Sequence, residues 1–135
     1  MKLTEPQITQ CPGMEGNWLV AEDFRYQGHG IDITIPKGFV TDLASIPRAL
    51  WRLIAPFELS LTAPIVHDLL YRSSGTWGGL ALTREQVDGL FRDIMADEGV
   101  SWWRRTLAYR GVRLCGGGSW GAAKVEVVRI EGETA

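Results

Sequence analysis

Two segments near the N-terminus carry apolar residues among polar ones, the second in strict alternation with a period of two. They cover residues 17–26 and 31–35, and their apolar positions are Trp18, Val20, Phe24, Ile31, Ile33 and Ile35. Aromatic and β-branched residues in this pattern are typical of half-buried strands. Residues 27–30 between them have the composition of a turn, so the pattern predicts a β-hairpin. His29, in that turn, is expected to be an inert surface residue.

Four later segments have the apolar spacing of amphipathic helices, three or four residues apart. Start signals precede three of them, namely Ser45 with Pro47, Thr62 with Pro64, and the capping-box pattern Thr83-x-x-Gln86. The predicted helices cover residues 45–54, 64–72, 84–98 and 101–114.

The remaining segments lack helical periodicity. Residues 1–16 are expected to form an irregular lead-in, residues 73–79 a glycine-rich loop, and residues 131–135 a frayed tail. Residues 124–130 alternate again and predict a strand that adds to the hairpin. The 135-residue chain is therefore expected to be a single α+β domain, a small antiparallel sheet packed against three or four helices.

The predicted helix over residues 64–72 combines an apolar arc with a polar arc. At about 100° per residue, His67, Asp68 and Tyr71 fall together on the polar arc. The opposite arc consists of Ile65, Val66, Leu69 and Leu70. A histidine, a carboxylate and a phenol on one helix face indicate a site.

The following helix carries a charged pair on its apolar face. Arg84 and Asp88 are spaced i, i+4 and project into the stripe that contains Phe91 and Met95. A buried charged pair without partners costs several kcal/mol. We therefore expect the two helices to pack antiparallel, with the polar arc as partner and with His67 about 2.6–3.2 Å from Asp88.

These residues are compatible with two roles, one catalytic and one structural. In the first, His67 draws a proton from water, Asp88 orients its ring, and Tyr71 completes the catalytic group. Asp68 and Asp42 would then supply oxygen ligands to a hard cation such as calcium, whereas zinc lacks a second histidine or cysteine at ligand spacing. In the second, His67, Asp68, Arg84 and Asp88 form a buried polar network that only fixes how two helices meet.

The net charge, the apolar segments and the cysteines of the chain exclude some classes of function. The formal net charge is −2, so the chain as a whole has no electrostatic case for binding nucleic acid. No apolar run follows Met1 and no segment is apolar enough to cross a membrane, so neither a signal peptide nor a span is expected. Cys11 and Cys115 stand alone, which predicts two reduced thiols.

The segment 101–113 differs from the rest of the chain. It holds four arginines, no acidic residue, and the adjacent Trp102 and Trp103. Tryptophan and arginine are common in protein interfaces, so Trp102, Trp103 and Arg84 are candidate binding residues.

Several motifs in combination resemble an uncharacterised family. They are the run Gly38-Phe39-Val40-Thr41-Asp42-Leu43-Ala44-Ser45-Ile46-Pro47, the run His67-Asp68-Leu69-Leu70-Tyr71, and then Arg84, Asp88, Phe91, Tyr109, Arg113, Gly116 and Trp120. The resemblance covers residues 30–120 and is to one of the domain-of-unknown-function families common in tailed phages and prophages. It implies a phage origin, other phage proteins as partners, and a location in the virion or the host cytoplasm, but no established activity.

A shorter run resembles the A2-type phospholipases, which carry His-Asp-x-x-Tyr on one helix and an aspartate on its antiparallel neighbour. This resemblance implies that His67 is the base, Asp68 a calcium ligand and Asp88 the orienting carboxylate. Leu70 stands where that motif has a cysteine, and the glycine-rich calcium loop is not matched, although residues 38–45 occupy a comparable place.

The sequence therefore leaves three alternative hypotheses about function, of which the first is favoured. The first is a small phage-encoded protein, a tail-associated virion component or an accessory protein of infection, with a buried His-Asp-Arg network. The alternative is a calcium-dependent hydrolase of lipid or cell envelope. The third is an interaction module that docks the tryptophans and arginines of residues 102–113 on a partner protein.

Overall fold

The computed structural model describes residues 8–10, 18–41, 62–122 and 124–127. Within these ranges the chain forms a small α+β fold of three α-helices and short antiparallel sheets. The strands are β1 (Ile8–Gln10), β2 (Trp18–Val20), β3 (Phe24–Gly28), β4 (Ile31–Ile35), β5 (Val40–Thr41), β6 (Thr76–Trp77) and β7 (Leu80–Ala81). The helices are α1 (Thr62–Arg72), α2 (Arg84–Asp97) and α3 (Trp102–Cys115), and a 3-10 turn follows at Gly117–Ser119.

The predicted hairpin is present as β3 and β4. The strands pair antiparallel from Phe24 opposite Ile35 to Gly28 opposite Ile31. Alternate side chains point inward, and the buried ones are Phe24, Tyr26, Ile33 and Ile35. The predicted first strand was too long, because residues 21–23 separate β3 from β2, which belongs to a different sheet of order β1-β2-β5.

Three further predictions about strands need correction. Part of the expected lead-in is ordered, because Ile8–Gln10 pairs antiparallel with β2. The expected loop over residues 73–79 contains β6, which pairs with β7 in a second hairpin. In the predicted last strand, Val127 bridges to Phe39, beside β5 rather than beside the first hairpin. The predicted helix over residues 45–54 and the tail over residues 131–135 lie outside the described residues.

Helix α1 is the centre of the fold. Every residue from Thr62 to Tyr71 is buried, so the polar arc is as enclosed as the apolar arc. A helix that is buried on all sides needs partners for each polar group, and those partners come from the elements that surround it.

Helix α2 begins at the capping box that its sequence predicts. The Thr83 hydroxyl accepts from the backbone N–H of Gln86 at 3.1 Å, and the Gln86 side chain accepts from the backbone N–H of Thr83 at 2.9 Å. The helix ends before Gly99, whose φ of 86° suits glycine.

The three helices run alternately up and down. Thr62 contacts Glu98, His67 contacts Asp88 and Tyr71 contacts Arg84, so α1 and α2 are antiparallel as expected. Helix α3 returns along α2 and buries Ala108 and Val112. None of the helices in the described ranges has the length and apolar character that crossing a bilayer requires.

Candidate functional site

Asp88 is the centre of the polar cluster between the three helices. Its side chain has no exposed surface, and its two oxygens have separate partners. Oδ1 lies 2.8 Å from Nε2 of His67 and accepts from the Tyr71 hydroxyl at 2.6 Å. Oδ2 accepts from Nη1 of Arg113 at 2.9 Å. The predicted distance between His67 and Asp88 is confirmed, and Tyr71 joins the same oxygen.

The imidazole of His67 is held between two aromatic rings. Its centroid lies 4.2 Å from that of Tyr71 and 4.7 Å from that of Phe91, and its side chain has no exposed surface. Because an ionised Asp88 can only accept, Nε2 must carry the proton between them. The buried Nδ1 has no hydrogen-bond partner within the described part of the chain.

Arg84 connects the cluster to the end of α3. Its Nε donates to the Tyr71 hydroxyl at 3.1 Å, and its Nη2 donates to the backbone carbonyls of Val112 and Arg113 at 2.8 and 2.7 Å. Both carbonyls belong to the last turn of α3, and that of Val112 also accepts from the backbone N–H of Gly116 at 2.9 Å. Arg84 therefore binds helices α1 and α3 together, and its distance to Asp88 is longer, at 4.0 Å.

The hydrogen bonds of the cluster shift the pKa values of Asp88, Tyr71 and Arg113. Burial raises the pKa of Asp88, but the hydrogen bonds from His67, Tyr71 and Arg113 outweigh it and leave that pKa below its ordinary value. Burial and the hydrogen bond to Asp88 raise the pKa of the Tyr71 hydroxyl, which stays protonated and donates. The hydrogen bond to Asp88 raises the pKa of Arg113. Asp88 is thus an anion surrounded by donors.

Asp68 was a candidate partner of the Arg84–Asp88 pair together with His67 and Tyr71, but it points away from this cluster. Its Oδ2 accepts from the Thr41 hydroxyl at 2.6 Å, and its Oδ1 accepts from Nε of Arg72 at 3.1 Å. Asp68 thereby ties α1 to β5. Asp42, the other predicted cation ligand, lies outside the described residues, and within them no group of three histidine, cysteine or acidic side chains could hold a metal.

The other candidate binding residues occupy a separate place. Trp102 and Trp103 are 69% and 47% exposed near the start of α3. Arg84 instead contacts the opposite end of this helix, at the carbonyls of Val112 and Arg113.

Sequence reasoning named Arg113 only as part of a motif and missed its role as a donor to Asp88. The available signal was the absence of any acidic residue on α3, because an arginine beside the buried Val112 has to find its carboxylate on another helix. Gly116 was likewise named only as part of a motif, and its close approach to Tyr71 was missed. A Cβ atom there would lie 2.7 Å from the Tyr71 hydroxyl, so only glycine lets the chain pass this close.

His29, which was expected to be an inert surface residue, contacts an acidic side chain of α2. Its Nε2 lies 2.8 Å from Oδ2 of Asp97, which also accepts from the Tyr26 hydroxyl at 2.8 Å. These two hydrogen bonds outweigh burial and lower the pKa of Asp97. A surface cavity of about 300 Å³ lies beside this group, lined by His29, Ile31, Leu82, Gln86, Gly89, Leu90 and Asp93. His67 is not in its wall.

The arrangement around Asp88 is suited to holding helices together. A general base must reach the proton it removes, and the His67 ring is enclosed by protein on every side. Asp88 already accepts three donors, which leaves it little capacity to bind a further group.

Comparison with protein families places the greater part of the chain in one of them. A family model described as "Protein of unknown function (DUF1353)" matches residues 18–112, which include β2 to β7, α1, α2 and most of α3. No match was found among curated proteins or among solved structures.

Proposed function

The chain belongs to the DUF1353 family of proteins of unknown function, and we propose that it is a non-enzymatic structural component of a tailed-phage particle, associated with the tail. One observation carries the non-enzymatic part. The side chains of His67 and Asp88 have no exposed surface, so the residues that most resemble a catalytic pair are used up in joining helices.

The phage context is supported by the motifs. The run from Gly38 to Pro47, the His-Asp-x-x-Tyr run at His67, and the pair Arg84 and Asp88 together resemble a family common in tailed phages. A virion component has to keep its shape in an assembled particle. A helix pair tied through Asp88, with Arg84 tying in the third helix, is suited to that role because a satisfied buried network favours one packing.

The proposal is tested by measuring how much of the chain is present in purified phage particles. Virions of the phage or prophage that encodes the chain would be purified through a density gradient and analysed by mass spectrometry against known tail and capsid proteins. We expect the chain in a constant ratio to the tail proteins, and tailless capsids should lack it. Its absence from purified virions, with the chain still abundant in the lysate, would contradict the proposal.

The alternative function is a calcium-dependent hydrolase of lipid or cell envelope. The contact between His67 and Asp88 across antiparallel helices favours it, because this is the arrangement that the phospholipase resemblance implies. Against it, Asp68 accepts from Thr41 and Arg72, and a cation would have to displace those donors. We therefore rank this function second.

A further inference from the structure

Helix α3 turns a row of large apolar side chains to the outside of the molecule. Trp103, Leu107 and Leu114 are 47%, 40% and 85% exposed, and they lie on one face of the helix with the exposed Arg110. We call these four residues the α3 seam. Their spacing is i, i+4, i+7 and i+11, which is the spacing along which one α-helix packs against another.

The apolar side chains of the α3 seam are not part of the buried core of the described residues. Helix α3 packs inward through Ala108 and Val112, which lie on its other side. A sequence that needed only this packing would carry polar residues on the outer face. Contiguous exposed apolar side chains with tryptophan and arginine are typical of a surface that binds another protein.

The charge around the α3 seam indicates the nature of the partner. No acidic residue occurs between Ser101 and Lys124, and the exposed Arg110 is part of the α3 seam. The guanidinium of Arg104 lies over the Trp103 ring at 4.9 Å, so positive charge reaches the edge of the apolar surface. A second copy that docked through the same face would oppose cation to cation, which is unfavourable.

We propose that the α3 seam docks an amphipathic helix of a partner protein, with apolar residues at heptad spacing flanked by glutamate or aspartate. The apolar side chains would interdigitate with Trp103, Leu107 and Leu114, and the acids would pair with Arg110. This inference deepens the proposed function, on which it rests for its phage setting, by naming the chemistry of the neighbouring protein.

The test uses the full chain and a defined probe. The probe is a synthetic three-heptad helix with leucine at positions a and d and glutamate at e and g, which repels its own copies. The matched probe has lysine in place of each glutamate. Isothermal titration calorimetry should show binding of the glutamate peptide at least about tenfold tighter than of the lysine peptide.

Variants of the α3 seam make the test specific. The double substitution Trp103→Ala with Leu107→Ala should weaken binding of the glutamate peptide by at least about tenfold, because it truncates two central apolar contacts. Arg110→Glu should remove most of the preference for the glutamate peptide, because the substituted side chain repels its acids. Lys124→Glu makes the same change of charge at an exposed position outside the helix and should leave binding unchanged. Circular dichroism would confirm that each variant is folded.

Three results would overturn the inference. The first is equal or absent binding of the two peptides by the wild-type chain. The second is a concentration-dependent dimer in sedimentation that the seam variants abolish, which would make a second copy the occupant. The third is binding to anionic phosphatidylglycerol vesicles without binding to the glutamate peptide, which would make the face a membrane contact. None of these results decides whether the chain is a virion protein, which the particle experiment tests separately.

Discussion

Asp88 shows at the scale of one residue why a charge can be kept in a protein interior. Its carboxylate has no exposed surface, and it is stable there because His67, Tyr71 and Arg113 each donate to it. Removing one member of such a cluster costs more than the cluster contributes as a whole, because the remaining charges and dipoles are left without partners.

Asp88→Ala should therefore destabilise the protein strongly. We expect a loss of about 3 kcal/mol in the free energy of unfolding, because Arg113 loses its carboxylate and His67 its acceptor. Urea titration followed by tryptophan fluorescence would measure it. The control is Asp93→Ala on the same helix, where the side chain is 41% exposed and its ion pair with Arg92 contributes at most about 1 kcal/mol. Equal stability of the two variants would show that Asp88 is solvated.

The same residue predicts a dependence of stability on pH. The folded pKa of Asp88 is lower than its ordinary value of 3.8, so the unfolded chain takes up a proton first as the pH falls. The stabilisation is fully present above about pH 4 and is lost as the pH falls through the folded pKa. The difference in unfolding free energy between wild type and Asp88→Asn should be largest near neutral pH and should shrink in acid. A difference that stays constant down to pH values below the folded pKa would contradict the ionised state of Asp88.

At the scale of elements, the end of α3 has to approach α1 closely. A Cβ at Gly116 would lie 2.5 Å from the Val112 carbonyl oxygen and 2.7 Å from the Tyr71 hydroxyl, so Gly116→Ala must displace one of them. We expect a cost of about 1–3 kcal/mol in thermal or urea unfolding. Gly118→Ala is the matched control, because a Cβ there meets nothing within 4 Å. If both variants unfold like wild type, the contact between α3 and Tyr71 is looser than described.

At the scale of the whole molecule, His67→Gln separates a structural role from a catalytic one. Glutamine retains some hydrogen bonding but not the ring between Tyr71 and Phe91, so the structural role predicts a lower melting temperature. Calcium at millimolar concentration should leave the wild-type melting temperature unchanged, since a bound ligand would raise it. Wild type and variant should both fail to hydrolyse phospholipid or an envelope extract. Calcium-dependent hydrolysis by wild type that a folded His67→Gln protein lacks would favour the alternative function instead.

The sequence by itself determined the parts of this protein that depend on local patterns. The strand-like segments predicted the β3–β4 hairpin, and the capping box predicted the start of α2. A polar arc on one helix and a charged pair on the apolar face of the next predicted the contact between His67 and Asp88. Each of these follows from residues close in the chain, or from the rule that a charge on an apolar helix face must find a partner.

The tertiary structure alone decided which partners were chosen. Arg113 reaches Asp88 from a third helix, Asp68 turns to Thr41 instead, and the two-residue strands β5, β6 and β7 exist only through pairing with other strands. Local propensity cannot specify such contacts, because segments this short are not stable without their neighbours. The same holds for α3, where the position of the buried Ala108 and Val112 determines that the larger Trp103, Leu107 and Leu114 face outward.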